Sequence, residues 1–248
     1  MKAWGVLLIL LSVLALPARG DHLPPLRIAV PAFAPFAWQD DAGRLHGALV
    51  RVVRQIQAHY SERMDVVLMP YARFLEQLRK GQLDAALIFD NPALENHVIR
   101  LGPVSRSRVL LFCSSVTPGV TPKNLDPLGP LAVIQGASFG PAVDDNPGIR
   151  RVEVATYRQG WRMLQLGRVN GIVGPEEGLL YAAEEAGISL KQLPPPMLLG
   201  EKEWILHLSR QSLHYGNWAE LDKAVKAVAR PALIRDLVAA EPAPEPRP

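Results

Sequence analysis

The sequence predicts an α/β protein built of two like lobes with mainly parallel sheets, and two observations predict it. Short apolar runs alternate with helical patterns along the 248 residues, the arrangement of βαβ units rather than of hairpins. The chain also repeats itself. Residues 70–87 (PYARFLEQLRKGQLDAAL) align without a gap on residues 156–173 (TYRQGWRMLQLGRVNGIV), pairing Tyr71 with Tyr157, Leu78 with Leu164, Gly81 with Gly167, Leu83 with Val169 and Asp84 with Asn170. Each copy reads as an amphipathic helix, a glycine able to end it in the left-handed conformation, and an apolar run fit for a buried strand. Two like units imply two like lobes, and a cleft between lobes is where a small ligand sits.

Residues 1–20 read as a cleavable signal peptide. Lys2 supplies the positive start, residues 4–16 form an uncharged run short of the ~20 residues a membrane span needs, and Ala18-Arg19-Gly20 sets small residues before a cut at Asp21. Export to the periplasm is expected. No cysteine lies near the cut, so no lipid anchor is expected. The slight excess of 27 Lys+Arg over 24 Asp+Glu loses Lys2 and Arg19 with the signal, which removes any argument for a nucleic-acid partner.

Strands are expected at residues 26–30, 65–69, 84–89, 109–113, 131–135, 151–155, 171–174 and 204–209, each a short apolar run bounded by turn residues or helical pattern. Leu49, Val53, Ile56 and Tyr60 stripe one face of a helix between the first two, with Arg51, Arg54 and Gln55 off that face. Thr156 and Gln159 form a capping box for the helix of the second copy. Pro92, Pro118, Pro122, Pro127 and Pro147 mark loops, and Pro194-Pro195-Pro196 a stiff connection before the last strand. The Pro-rich stretch 241–248 is expected to be disordered.

The single cysteine, Cys113, lies in an apolar run and reads as a buried structural thiol. No phosphate loop or catalytic elbow is present. The histidines show no metal-ligand spacing, so neither a metal nor another cofactor is expected.

Several segments, taken in order, resemble the family 3 extracellular solute-binding proteins, the periplasmic amino-acid-type receptors. They are LRIAV from Leu26, then Phe33 and Pro35-Phe36, Gly43 to Gly47 opening a helix, LRKGQLDAAL, DPLGPLAVIQGAS and LGRVNGIVG. Pro70-Tyr71-Ala72-Arg73 with Gly81, Asp84 and Gly102-Pro103 is similar to a branch carrying a Pro-aromatic-x-Arg element. The resemblance implies a two-lobed type II periplasmic binding protein fold with two hinge-crossing strands, at residues 109–113 and 204–209. Lobe one would comprise 24–111 and 206–240, and lobe two 112–205.

The same resemblance implies site residues. Phe33 and Tyr71 fall where the family sandwiches its ligand, Phe89 and Asn91 follow the first buried strand, and Gln135, Gly136 and Ser138 occupy a strand-to-helix loop whose N–H groups suit an anionic ligand group. Two family positions are changed: the arginine that pairs with an amino acid's carboxylate would stand near Asn96, and the aspartate that takes its ammonium at Pro175. Glu176 is the candidate replacement for the second. Arg73 either replaces the first, as a fork matching a carboxylate, or is a solvated or ion-paired helix residue. Phe33 and Tyr71 have plain core packing as their alternative.

The function implied is a non-catalytic, monomeric receptor that captures a small polar or anionic solute and delivers it to an inner-membrane ATP-binding cassette permease. Two alternatives stand beside it, a soluble periplasmic sensor and a dehydratase-type enzyme using a cleft glutamate such as Glu176.

Overall fold

The computed structural model describes residues 23–241; the predicted signal peptide and residues 242–248 of the tail lie outside them. The strands are β1 Leu26–Pro31, β2 Trp38–Gln39, β3 Leu45–His46, β4 Met64–Met69, β5 Ala85–Phe89, β6 Val98–Cys113, β7 Pro130–Ile134, β8 Arg150–Val154, β9 Gly171–Pro175 and β10 Met197–Ser209. The helices are α1 Ala48–Gln57, α2 Tyr71–Arg79, α3 Pro141–Asp144, α4 Tyr157–Gln165, α5 Glu176–Glu185, α6 Trp218–Val228 and α7 Leu233–Ala239.

Eight strands form one sheet in the order β4-β1-β5-β10-β6-β9-β7-β8. Each end is a parallel triplet: β1 between β4 and β5, and β7 between β8 and β9. The two triplets are the sheets of two lobes. Between them run β6 and β10, antiparallel to each other, β10 lying against β5 and β6 against β9. The fold is therefore the two-lobed α/β architecture that the sequence predicts.

The repeat is real in three dimensions. Helices α2 and α4 begin at Tyr71 and Tyr157, and Gly81 and Gly167 follow them with φ of 65° and 64°. Thr156 caps α4 by accepting the Gln159 N–H, whose side chain in turn accepts the Ala155 N–H. Asp84 and Asn170 do the same work in the two copies. Asp84 accepts the Arg27 N–H at the start of β1, and Asn170 donates to the Leu128 carbonyl just before β7, so each ties its own strand to the centre of its triplet.

Two expectations are corrected. Residues 109–113 and 204–209 are not the segments that cross: 109–113 pair with β9 in lobe two, and Trp204–Leu208 pair with β5 in lobe one. The crossing is made upstream of each, at residues 106–108 of β6 and 201–203 of β10, which pair with each other alone. This stretch carries Arg106, Arg108, Glu201, Lys202 and Glu203, none of them buried, whereas the last five residues of β6 are all buried. A strand covered on both faces reads as a solid apolar run; a half-covered one does not. Tyr60, placed on the α1 stripe, is buried but lies beyond the helix end.

Cys113 is buried, and burial pushes its thiol up to about 11, as befits a structural residue. Helices α6 and α7 pack on α1 and β6, returning the end of the described chain to lobe one. No helix among the described residues is long and apolar enough to cross a membrane.

The paired glycines can be tested. A methyl group at Gly167 meets nothing within 4 Å, while one at Gly81 strikes the Gln211 side chain. Gly167→Ala therefore isolates the left-handed backbone cost of about 1 kcal/mol. Gly81→Ala should cost more and Gly167→Asn less. Denaturant midpoints of the three variants measure this, and an unchanged midpoint for Gly167→Ala would remove the left-handed cap from the account.

Candidate functional site

The carboxyl ends of the parallel strands in both triplets face one gap, the place where α/β sheets hold ligands. Pro31 and Phe89 end β1 and β5, Ile134 and Pro175 end β7 and β9, and all four line it. Tyr71 and Tyr157, the first residues of α2 and α4, enter from opposite lobes, with Phe33 and Phe36 following β1, Ala137 and Phe139 following β7, and Trp204 from β10. The rings fill most of the space, leaving a cavity of about 20 Å³, room for about one water.

The rings touch in a chain. Phe33 meets Phe36 at 5.8 Å and, across the lobes, Tyr157 at 5.4 Å, both edge to face; Trp204 meets Phe36 at 5.0 Å and Phe89 at 4.4 Å. Such pairs contribute about 0.5–1.5 kcal/mol each beyond the area they bury. Phe36 and Tyr157 lie against Gly178 near the start of α5, where a methyl group would come within 2.8 Å and 3.0 Å of their rings. Polar contacts join the lobes at the rim. The Asn91 amide donates to the Gly136 carbonyl at 2.9 Å, and the Lys202 ammonium donates to the Asp90 carbonyl at 2.8 Å and to both the carbonyl and hydroxyl oxygens of Ser138 at 3.0 Å.

Tyr71 is 8% exposed and its hydroxyl has no hydrogen-bond partner. The nearby Asn91 side chain is turned to the Gly136 carbonyl and to the Ala93 N–H. Burial holds both tyrosines well above their ordinary pKa, so they stay protonated. An unpaired buried hydroxyl costs about 1–3 kcal/mol, and a ligand group that meets it recovers that cost.

The expected site residues divide. Phe33, Tyr71 and Phe89 line the cavity. Asn91, Gly136 and Ser138 stand at the rim, holding lobe to lobe. Gln135 is exposed and Arg73 is exposed, both outside the lining. Arg73 is two residues on from Tyr71, about 200° around the helix axis, and α2 is regular from its first residue, so a buried Tyr71 puts Arg73 in solvent. Glu176 also stands outside the lining, ion-paired at 3.0 Å with Arg108. Asn96 is exposed, and Pro175 lines the cavity with no charge to offer.

In the 135–138 loop the Gln135 and Ala137 N–H groups donate to the Val154 and Ile134 carbonyls. An internal anion lies just past it: Asp144 accepts from Phe139 N–H at 2.9 Å, Gly140 N–H at 2.8 Å and Ser138 Oγ at 2.7 Å, and pairs with Arg151 at 3.1 Å. Helix α3 is a single turn ending at Asp144, so the anion sits in the chain.

Sequence reasoning missed Phe36, Phe139, Tyr157 and Trp204 as site residues. Tyr157 carried a usable signal, since the repeat pairs it with Tyr71. The others look like core residues because they are packed as core residues, at 1%, 6% and 3% exposure.

Behind Trp204 lies a buried relay. The indole N–H donates to Ser107 Oγ at 2.8 Å, and Ser107 donates to Glu177 Oε1 at 2.9 Å, while Glu177 Oε2 has no partner. Burial raises the Glu177 pKa above its ordinary 4.5, against the opposing pull of Ser107. Above 4.5 the folded state then holds more protons than the unfolded one, so this group lowers stability as pH rises through the interval between the two pKa values. Glu177→Gln should gain stability relative to the parent as pH rises through that interval, with the difference greatest above it. Urea melts from pH 4 to 8 would show it; a difference independent of pH would mean that Glu177 is no more easily protonated folded than unfolded.

No protein-family model and no curated protein sequence matches the chain. Solved structures match it along most of its length. The arginine-binding protein of T. maritima in its holo form aligns at a TM-score of 0.65 and 16% identity over 82% of this chain and 89% of its own. The substrate-binding protein of an amino acid ABC transporter aligns at 0.66 and 14% over 86% and 96%. An ancestral amino-acid-binding protein described as a precursor of cyclohexadienyl dehydratase aligns at 0.64 and 13% over 87% and 93%. At such identities the likeness is one of fold, and together with the paired lobes and the two shared strands it identifies this chain's architecture as the two-lobed periplasmic binding protein fold.

Proposed function

We propose that the chain is a periplasmic solute-binding protein, which captures one small solute between its lobes and hands it to an inner-membrane ATP-binding cassette permease. The observation that carries this reading is the apolar cavity at the strand ends, enclosed by equivalent residues of two lobes and containing the unpaired hydroxyl of Tyr71. The crossing segments of β6 and β10 supply the hinge, and a solute touching both lobes favours their closed arrangement. Neighbours of the same fold are named for amino-acid binding and for transport, which supports the class of function.

A binding role is also what the lining allows. Its ionisable side chains are two tyrosines that burial keeps protonated. Glu176, the acid a dehydratase would use, is engaged with Arg108.

A thermal-shift screen of small solutes against the protein tests the reading. Solute at about a hundred times its dissociation constant adds roughly 2.7 kcal/mol, several degrees for a chain of this size. Absence of any stabilising solute across amino acids, sugars, organic acids, amines and neutral rings would overturn it. Gly178→Ala sets a methyl group against Phe36 across the lobe boundary and should weaken whichever solute is found about tenfold or more, whereas Arg73→Lys should leave affinity unchanged. Equal loss in both would return Arg73 to the site.

A further inference from the structure

The cavity also says what kind of solute it takes. We propose that the cleft selects an uncharged aromatic ring carrying one hydrogen-bonding group, the ring packed among Phe33, Phe36, Tyr157 and Trp204 and the polar group met by the Tyr71 hydroxyl. This rests on the solute-binding reading above and narrows it.

Three observations lead there. The first is the absence of charge from the lining. A solute charge placed in that cavity loses its hydration and gains no opposite charge, which is prohibitive without a partner. The charged groups at the rim are already engaged: Asp144 by Arg151 and three donors, Glu176 by Arg108, Asp90 by Arg100, and Lys202 by three oxygens spanning the lobes. The zwitterionic end of an amino acid needs both signs together, and the lining has neither.

The second observation is the polar inventory. The side-chain polar groups of the lining are two tyrosine hydroxyls and the Trp204 indole N–H; the indole is engaged by Ser107, and the Tyr71 hydroxyl is buried without a partner. A sugar brings several hydroxyls and a peptide several amide groups, most of which would be stranded. A molecule with one donor or acceptor matches the site. A protonated phenol both donates and accepts, so an alcohol, a phenol or a ring N–H serves equally.

The third is ring geometry. Phe33 and Tyr157 meet across the cleft with their planes at 89° and centroids 5.4 Å apart, and the Phe36–Trp204 contact is tilted by 46°. Such walls offer both edges and faces, the arrangement in which a further ring finds quadrupole-matched contacts while an aliphatic chain finds only area. The cavity of about 20 Å³ is too small for the ring as the lobes stand, so entry requires Phe33 and Tyr157 to part. The hinge provides that movement.

A matched series separates charge from ring: benzyl alcohol, benzoate, benzylamine and phenylalanine, which share the ring and differ in charge, with indole as a second neutral ring. Binding is read by calorimetry and by the fluorescence of Trp204, using Trp204→Phe to assign the change. Benzyl alcohol and indole should bind at least tenfold more tightly than the three charged compounds, and Tyr71→Phe should remove most of that advantage while the protein melts no earlier than the parent. Benzoate, benzylamine or phenylalanine binding as tightly as benzyl alcohol would overturn the inference. So would a screen that finds a sugar, peptide or amino acid and no neutral ring, an outcome that leaves solute capture standing. If no solute of any class binds, solute capture falls and this inference with it.

Discussion

The ladder between β6 and β10 is the constraint on which the rest of the molecule depends. It runs from Val98 with Ser209 to Leu111 with Met197, a backbone ladder common to both lobes. Its ends belong to different sheets: β10 passes its outer edge to β5 while β6 passes its own to β9. Backbone donors and acceptors in a buried strand must be paired, so neither lobe completes its sheet without the strands it shares. From Arg106 with Glu203 to Arg108 with Glu201 the two strands pair with each other and with neither β5 nor β9. Bending there disturbs fewer bonds than bending within either triplet.

From that ladder the symmetry of the cleft follows. Each lobe has the same triplet, and in each the helix that follows the outer loop starts at the mouth of the gap with a tyrosine. Asp84 and Asn170 show how closely the copies correspond, one using a carboxylate and the other an amide to tie the last strand of the triplet to the first. Different chemistry serves there because the partner differs, an N–H in one lobe and a carbonyl in the other. Tyr71 and Tyr157 kept the same residue because both do the same thing, presenting a ring to the other lobe.

How much of this was legible in the sequence depends on whether a residue's neighbours in space are also its neighbours in the chain. Helix, glycine and buried strand were readable in both copies, since capping, left-handed φ and apolar runs are local. The crossing halves of β6 and β10 were not, because their charged residues reach solvent or each other, as Arg106 does with Glu203 at 2.9 Å, and only the partner strand explains why they are strands. Within the site, Phe33, Tyr71 and Phe89 were found and Trp204, Phe36 and Phe139 were not, since an aromatic residue in a cleft and one in a core have the same local pattern. Arg73 and Glu176 stand outside the lining for one reason: closeness in sequence to a cleft residue does not give direction, and at the start of a regular helix the next residues turn away from it.

The charges around the cleft show how one fold changes its ligand chemistry. Free N–H groups attract anions, and here Asp144 has taken those of Phe139 and Gly140 beside the cleft, with Arg151 balancing its charge. Lys202, a cation at the crossing, is surrounded by carbonyl and hydroxyl oxygens, and its burial favours the neutral amine more than Asp90 and Asp144 favour the charged one. Each group is satisfied within the protein, so none is available to a solute, and the same bonds draw the lobes together at the rim. Removing charge from the lining also permits Phe36, Trp204 and Phe89 to pack as a continuous layer, because no hydrated group has to be kept among them. The rim bonds and the aromatic layer therefore support one another: the first excludes water from the gap, and the second makes a dry gap favourable.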